Sequence, residues 1–388
     1  MQILYLAIEG SSSGVRKKLK DKIDFIRSEG CNIDLVCVTS SQLAQLQVDY
    51  KRIIVNDSFS RFFGKKRILW RVSVFVEQWE FYQAILKYLR NREFDLILFR
   101  YPGADFFLWI FSIVYGQRVV FEHNSIELEE LRLRKSESFW YRYFYYSEKW
   151  FGSIVRKYVR GFIGVTNEIT QWQTSLSKGN HLHTTISNGI NVDRVNLRVG
   201  KPFDGSILNL LFLAGSEAPW HGVDKLIRSI NLYNGKVEIH CFITGSISEE
   251  NRIAAKGNSR ITVLPTQQDK QLDDLIDKCH LGVGPLGMAS FLREACPLKT
   301  REYWSRGLPF VIGYNDVDLV GREEMKAFYY FPKNYTDSHF DLEEVIQFAD
   351  SVYRDPAVSV KMRAFAMSHI HYKTKAEQYV SFLNLLRT

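Results

Sequence analysis

An α/β protein with doubly wound parallel sheets, in two halves, is what this sequence predicts, and three observations carry the prediction. Short runs of Val, Ile, Leu and Phe alternate with longer amphipathic stretches along the chain, the pattern of strands buried on both faces by intervening helices. The pattern is interrupted between Ser187 and Ser206 (SNGINVDRVNLRVGKPFDGS), a polar, Gly-containing stretch of linker-like composition, and then resumes. The 388 residues exceed one ordinary core; roughly 150 residues per domain gives two or three.

Taken in order, QILYLAI is the first strand, followed by GSSSG and a charged amphipathic helix ending near Glu29. Gly10, Ser13 and Gly14 in that loop suit close approach of a phosphate or sugar to main-chain amides. No G-x-G-x-x-G dinucleotide fingerprint is present. NIDLVCV, RIIVN, DLILF, RVVFE and GFIGVT read as further parallel strands, with FVEQWEFYQAILKYLRN helical among them. In the second half LNLLFLA, VEIHCFIT, RITVLP, HLGVGPL and PFVIG repeat the scheme, with helices at DKLIRSINLY and QLDDLIDKC. EYWSR is a helical segment stopped by Gly307, with Pro309 close behind. There is no sequence repeat and no low-complexity tract.

Composition narrows the function classes. With 46% hydrophobic and 24% charged residues the chain reads as globular and soluble. Five dispersed cysteines without a C-x-x-C pair suggest neither a zinc site nor a disulfide framework, and fit a reducing compartment. MQILYLAIEG lacks the basic leader of a signal peptide. The longest apolar run, FFLWIFSIVY, would span ~15 Å as a helix against a hydrocarbon core of ~30 Å. A formal charge of +8 makes an anionic partner plausible: lipid, phosphate-bearing substrate or nucleic acid.

The densest polar chemistry lies in EACPLKTREYWSRGLPFVIG, from Glu294 to Gly313. Two glutamates, Glu294 and Glu302, flank Pro297 and Lys299. A loop entering a helix N-terminus is a ready anion site, because its first amides point outward without partners. Lys299 adds a positive charge there, and Glu302 adds acceptors suited to sugar hydroxyls. Taken alone, a pair of glutamates at this spacing is more often a solvated helix face.

With its PLK, EY and GLP context, this segment resembles the signature of retaining glycosyltransferases of the GT-B fold. The resemblance implies two Rossmann-like domains facing across a cleft: residues 1–186 binding acceptor, residues 187–370 binding a nucleotide sugar, and residues 371–388 as a helix crossing back. It implies Glu294 at the transferred sugar, Glu302 at the ribose, and Leu298, Lys299 and Thr300 at the diphosphate. FLAGSEAPWHGVDKLI resembles the family's first donor-binding loop, with Ser216 where an arginine is usual and His221, before Gly222, where a lysine is usual. That weakens the electrostatic clamp unless Lys299 supplies the missing charge. RITVLP resembles the segment that holds the base by main-chain groups, near Leu264 and Pro265. ISNGINVDRV resembles the entry into the second domain, its Asn188-Gly189 pair an ordinary turn. On the acceptor side FEHNSIE places His123 at a strand end, where open α/β sheets bind ligands, and the family puts a histidine or aspartate near the donor sugar from this region.

The pairs His181/His183 and His369/His371 lack a third ligand and read as solvated surface. No Asp-x-Asp directly ends any of these predicted strands, Asp316-Val317-Asp318 coming only after PFVIG and two further residues, so a metal-independent enzyme without cofactor is expected. SRFFGKKRILWRVSVF and FWYRYFYYSEKWFGSIVRKYVR interleave rings with Arg and Lys, as suits a helix at lipid headgroups, single-stranded nucleic acid, or rings packed on the domain's own core. Both stretches lie in the acceptor half, which favours a lipid-linked acceptor over nucleic acid. The expectation is a retaining glycosyltransferase using a UDP- or GDP-sugar and a saccharide or lipid-linked saccharide acceptor, in bacterial capsule, exopolysaccharide or O-antigen synthesis. It would be cytoplasmic and peripheral on the anionic inner face of the membrane. The alternatives are an epimerase or hydrolase of the same fold, and a non-enzymatic membrane- or nucleic-acid-binding protein.

Overall fold

The computed structural model describes residues 1–8, 13–40, 48–55, 57, 70–287, 292–332 and 338–387, with the backbone alone at 13, 14, 70, 71 and 216. It divides into two compact units, Met1–Ile186 with Ala376–Thr388, and Ser187–Lys375.

The first unit holds seven strands: β1 (Ile3–Ile8), β2 (Ile33–Thr39), β3 (Lys51–Ile54), β4 (Leu96–Arg100), β5 (Val119–His123), β6 (Gly161–Gly164) and β7 (Leu182–Thr185). All pair in parallel, in the order β3-β2-β1-β4-β5-β6-β7. Its helices are α1 (Ser13–Ser28), α2 (Trp70–Leu89), α3 (Phe106–Tyr115), α4 (Glu127–Arg134), α5 (Phe139–Tyr158) and α6 (Asn167–Ser177). The apolar run of β1 is continuous because both faces of the strand are covered. Ile3, Tyr5 and Ala7 pack with Leu19, Ile23 and Ile26 of α1, while Leu4 and Leu6 pack with Tyr82 of α2 and Phe111 of α3.

The second unit repeats this logic with β8 (Ile207–Ser216), β9 (Glu238–Ser246), β10 (Ile261–Leu264), β11 (Leu281–Val283), β12 (Glu294–Ala295), β13 (Phe310–Val311), β14 (Asn315–Asp316) and β15 (Tyr329–Tyr330). Six form a parallel sheet, β10-β9-β8-β11-β13-β15, and β12 pairs separately with β14. The helices are α7 (Val223–Leu232), α8 (Glu249–Lys256), α9 (Asp269–Lys278), α10 (Leu298–Arg306), α11 (Leu342–Val352) and α12 (Val358–Phe365). Along β8, Leu208, Leu210 and Phe212 face Leu226 and Ile230 of α7, and Leu211 faces Tyr303 and Trp304 of α10. A last helix, α13 (Tyr372–Leu385), sends Tyr379, Phe382 and Leu383 into the core of the first unit.

Side-chain caps start several helices: Asp105 accepts from the Leu108 amide at 2.6 Å, and Ser138, Thr166 and Ser248 act alike for α5, α6 and α8. At the other end of α10, Gly307 sits at φ +70°, and a Cβ there would lie 2.5 Å from the Ser359 backbone. Gly307→Ala therefore meets both left-handed strain and a collision, and should lower unfolding free energy by about 1–3 kcal/mol in a urea titration.

Three sequence expectations are corrected. The stretch 187–206 packs as part of the second unit instead of running as a free linker. Val192 is buried, Arg198 Nε donates to the Cys279 carbonyl at 3.0 Å, and the Val199 amide donates to Asp277 at 2.9 Å. Gly189 is required by crowding instead of by a turn conformation, since a Cβ there would lie 2.8 Å from the Tyr372 ring. Neither histidine pair is simply solvated. His371 is buried with Nε2 3.1 Å from Asp193, and His181 sets its ring edge-on to Phe162 at 5.4 Å.

Candidate functional site

Each sheet grows in one direction from its first strand and then switches to the other side, between β1 and β4 in the first unit and between β8 and β11 in the second. Open α/β sheets hold ligands at the carboxyl ends of the strands beside such a switch. In the second unit the chain leaves β8, makes a short turn over Pro219–His221, and enters α7 through Gly222 at φ +67°. The His221 carbonyl accepts from the Leu286 amide at 3.1 Å, which ties the loop after β8 to the loop after β11. Ser216 ends β8, with only its backbone described.

α10 begins beside these loops. The segment leading into it is pinned at two carbonyls: Asn188 Nδ2 donates to Cys296 at 2.9 Å and the Asn315 amide to Arg293 at 2.8 Å. This fixes Glu294, half-buried in β12, and delivers Pro297 as the residue that starts the helix. The Pro297 carbonyl accepts from the amides of Thr300 (3.2 Å) and Arg301 (3.3 Å), and from Thr300 Oγ1 (2.9 Å). The amides of Thr300 and Arg301 are thus consumed in the helix itself. The first turn leaves the earlier amides, of Leu298 and Lys299, without an intrahelical acceptor. Below them Thr300, Arg301, Tyr303 and Trp304 are buried, so Leu298, Lys299 and Glu302 share the outer face of α10. Glu302 is oriented by Arg306 Nε, 3.1 Å from Oε2.

Lys299 is the unusual member. Its Nζ is sealed from solvent and has no hydrogen-bond partner among the described residues; it lies 4.2 Å from the centre of the Phe212 ring of β8. Burial pulls its ammonium from the usual 10.5 down to about 7. Nδ1 of His221 is likewise enclosed and unpartnered, and burial, then the charge of Lys299, push that imidazole down to about 3. A cation and a neutral imidazole in one corner, without acceptors among the described residues, form a place prepared for an anion. Sequence reasoning missed Phe212 because in the strand pattern it is one more buried aromatic.

The expected base-binding segment ends β10, an edge strand whose outer main-chain groups the sheet leaves unpaired. Leu264 is half-buried and Pro265 exposed. The Pro265 carbonyl is already bonded to Thr244 Oγ1 at 2.8 Å and Gln267 Nε2 at 2.9 Å, which steadies the loop.

In the first unit the outcome differs. Gly10 lies outside the described residues, and Ser13 and Gly14 open α1 as backbone only. His123 has no exposed surface. Its Nδ1 pairs with Glu127 Oε1 at 3.0 Å, and its ring lies 4.3 Å from Tyr101 and 6.0 Å from Phe121 and Phe162. Neighbouring strands close over the strand end that the sequence suggested was open, and the other ring nitrogen, Nε2, is buried without a hydrogen-bond partner among the described residues. Glu127 is itself held by Arg156 at 3.4 Å and Gln173 at 2.9 Å. Glu122 is also committed: Lys22 pairs with it at 2.6 Å, and Tyr5 and Tyr379 donate to it at 3.1 and 2.9 Å. Among the described residues no group of three His, Cys, Asp or Glu is placed to hold a metal ion.

No protein-family model matches the sequence, and no curated protein does. Solved structures do match in fold. A sucrose-phosphate synthase from Thermosynechococcus elongatus superposes with a TM-score of 0.70 at 11% identity, over 100% of this chain and 99% of that one. A glycosyltransferase from Rickettsia africae gives 0.65 at 12% identity, over 100% and 99%. Anabaena HepE, in complex with UDP and glucose, gives 0.61 at 14% identity, over 99% of both chains. The fold is thus GT-B: an α/β chain of two Rossmann-like domains, shared over its whole length with these structures.

Proposed function

We propose that this chain is a retaining glycosyltransferase that moves a sugar from a nucleoside diphosphate donor, UDP- or GDP-linked, to a saccharide acceptor. The observation that carries the reading is Lys299: a buried ammonium without a hydrogen-bond partner among the described residues, on the first turn of a helix beside the switch point of the second sheet. As the anomeric bond breaks, negative charge grows on the departing diphosphate and must be met by groups already in place. Lys299 and the amides of Leu298 and Lys299 supply that, with His221 Nδ1 as a further polar contact. Glu294 positions the transferred sugar, Glu302 holds the ribose, and the main chain near Leu264 and Pro265 takes the base. The acceptor hydroxyl attacks on the face the diphosphate leaves, and the leaving phosphate accepts its proton. No step needs a metal ion, because the lysine and the helix end carry the positive charge. The acceptor is a lipid-linked saccharide of bacterial surface-polysaccharide synthesis, met at the inner face of the membrane. The epimerase reading loses support, because Glu122, the carboxylate it would use beside His123, is enclosed and committed to Lys22, Tyr5 and Tyr379.

The test is a thermal-shift panel of UDP, GDP, ADP and their sugars, followed by transfer to a labelled acceptor. A nucleotide at about 100 times its Kd should add about 2.7 kcal/mol of stability, a shift of roughly 5–10 °C at ~2–4 °C per kcal/mol. Glu294→Ala should keep the shift with free UDP or GDP and lose transfer. No shift with any nucleoside diphosphate, or full transfer by Glu294→Ala, overturns the proposal.

A further inference from the structure

α3 is apolar on every side, FFLWIFSIVY, without one charged residue. A helix of that composition belongs inside a core. Leu108 and Phe111 do face the core, yet Phe106, Ile110, Ile113 and Val114, at i, i+4, i+7 and i+8, point outward. Ile113 and Val114 are 53% and 66% exposed. α5 packs beside it through Phe151, whose ring lies 6.3 Å from Phe106 and 6.0 Å from Trp109. The outer face of α5 carries Arg142, Tyr146, Lys149, Trp150 and Lys157, with Trp150 72% exposed. Its only acidic residue, Glu148, is turned inward onto Arg156 at 2.8 Å. An aliphatic helix face thus adjoins a basic aromatic one, and no exposed carboxylate lies on either helix.

We infer that the outer faces of α3 and α5 dock the first unit on an anionic lipid surface. The charge pattern selects this occupant over a second copy of the chain, since two such basic faces would repel each other, whereas lipid phosphates complement them. Ile110, Ile113 and Val114 enter the acyl boundary, Trp150 and Tyr146 sit at headgroup depth, and Arg142, Lys149 and Lys157 meet the phosphates. Only the purpose of the surface, bringing the enzyme to a lipid-borne acceptor, rests on the transferase reading; the surface itself does not.

The test is co-sedimentation of the full chain with phosphatidylcholine vesicles, with and without phosphatidylglycerol, at low and high salt, alongside Trp fluorescence. Binding is expected only with the anionic lipid, weakening with salt and shifting the emission to shorter wavelength as Trp150 leaves water. Ile113→Asp should abolish it, and Lys149→Glu and Lys157→Glu should each weaken it roughly five-fold or more, from about 1 kcal/mol per basic residue near the surface. All three positions are exposed, so nucleotide thermal shifts and transfer to a soluble acceptor should be unchanged in all three variants. Equal binding to neutral vesicles, retained binding by Ile113→Asp, or a dimer that Ile113→Asp dissolves in place of vesicle binding would each overturn the inference. Vesicle binding by a chain that responds to no nucleotide would leave the surface standing and remove the transferase.

Discussion

Lys299→Met should make the protein more stable and yet unable to use its donor. The two effects have one cause. Among the described residues the ammonium is enclosed without an acceptor, over the face of the Phe212 ring. A methionine fills similar space without that cost, and the gain should be about 1–3 kcal/mol near pH 6, the range for a buried polar group left unpaired. Losing the charge that meets the leaving diphosphate should lower kcat/KM by roughly 10²–10³-fold, and the thermal shift with UDP or GDP should shrink with it. A purely structural lysine predicts the reverse, lower stability and near-normal transfer per folded molecule. Thermal melts and initial rates on the same preparations decide between them.

The same lysine sets a pH dependence. Its proton is held to about pH 10.5 in the unfolded chain but only to about 7 in the folded one. Between those values the unfolded chain binds more protons, so the contribution of Lys299 to stability rises with pH across that window and is absent from Lys299→Met. A bound diphosphate restores the ammonium. Titration calorimetry at pH 8 in buffers of different ionisation enthalpy should therefore show proton uptake in the parent and none in the variant.

What the sequence displayed and what it hid follow from the range of the interactions concerned. β1, β2, β8 and β9 announce themselves because helices cover both of their faces and most of their positions are apolar. β7, with Leu182 and His183 exposed, and the two-residue β12, β14 and β15 carry too little buried surface to leave a pattern. The start and stop of α10 were legible because Pro297 and Gly307 act locally. The isolation of Lys299 Nζ was not, since it depends on Phe212 of β8 and His221 of the turn after it, roughly eighty to ninety positions earlier. The enclosure of His123 was hidden for the same reason: how far a strand end is covered depends on the residues of neighbouring strands, here Tyr101 and Phe162.

Asp316→Ala should be among the most damaging single changes in the second unit. Arg301 lies in α10, two residues beyond Lys299, and is completely buried. Its guanidinium pairs with both oxygens of Asp316, donates from Nη2 to Asp318 at 2.5 Å, and from Nε to the Asn188 carbonyl at 2.9 Å. Asp318 in turn accepts from Ser187 Oγ at 2.8 Å and Lys375 Nζ at 2.7 Å. Ser187 and Lys375 are the first and last residues of the unit, so one carboxylate gathers both of its chain ends onto the helix that carries Lys299. Removing Asp316 leaves a buried guanidinium half-paired, at a cost of about 3–5 kcal/mol, read as a lower urea midpoint with an unchanged slope. The double variant Arg301→Met/Asp316→Leu should recover most of that stability, because replacing a buried ion pair by apolar groups of similar size is often neutral. Burial pushes the Asp318 carboxyl up, and Arg301 and Lys375 more than reverse it, leaving it below its ordinary 3.8. Its contribution is therefore present above that value and lost as pH falls below it. Recovery of stability in the double variant with transfer still impaired would identify Arg301 as a positioning residue for Lys299; recovery of both would reduce the network to a packing device.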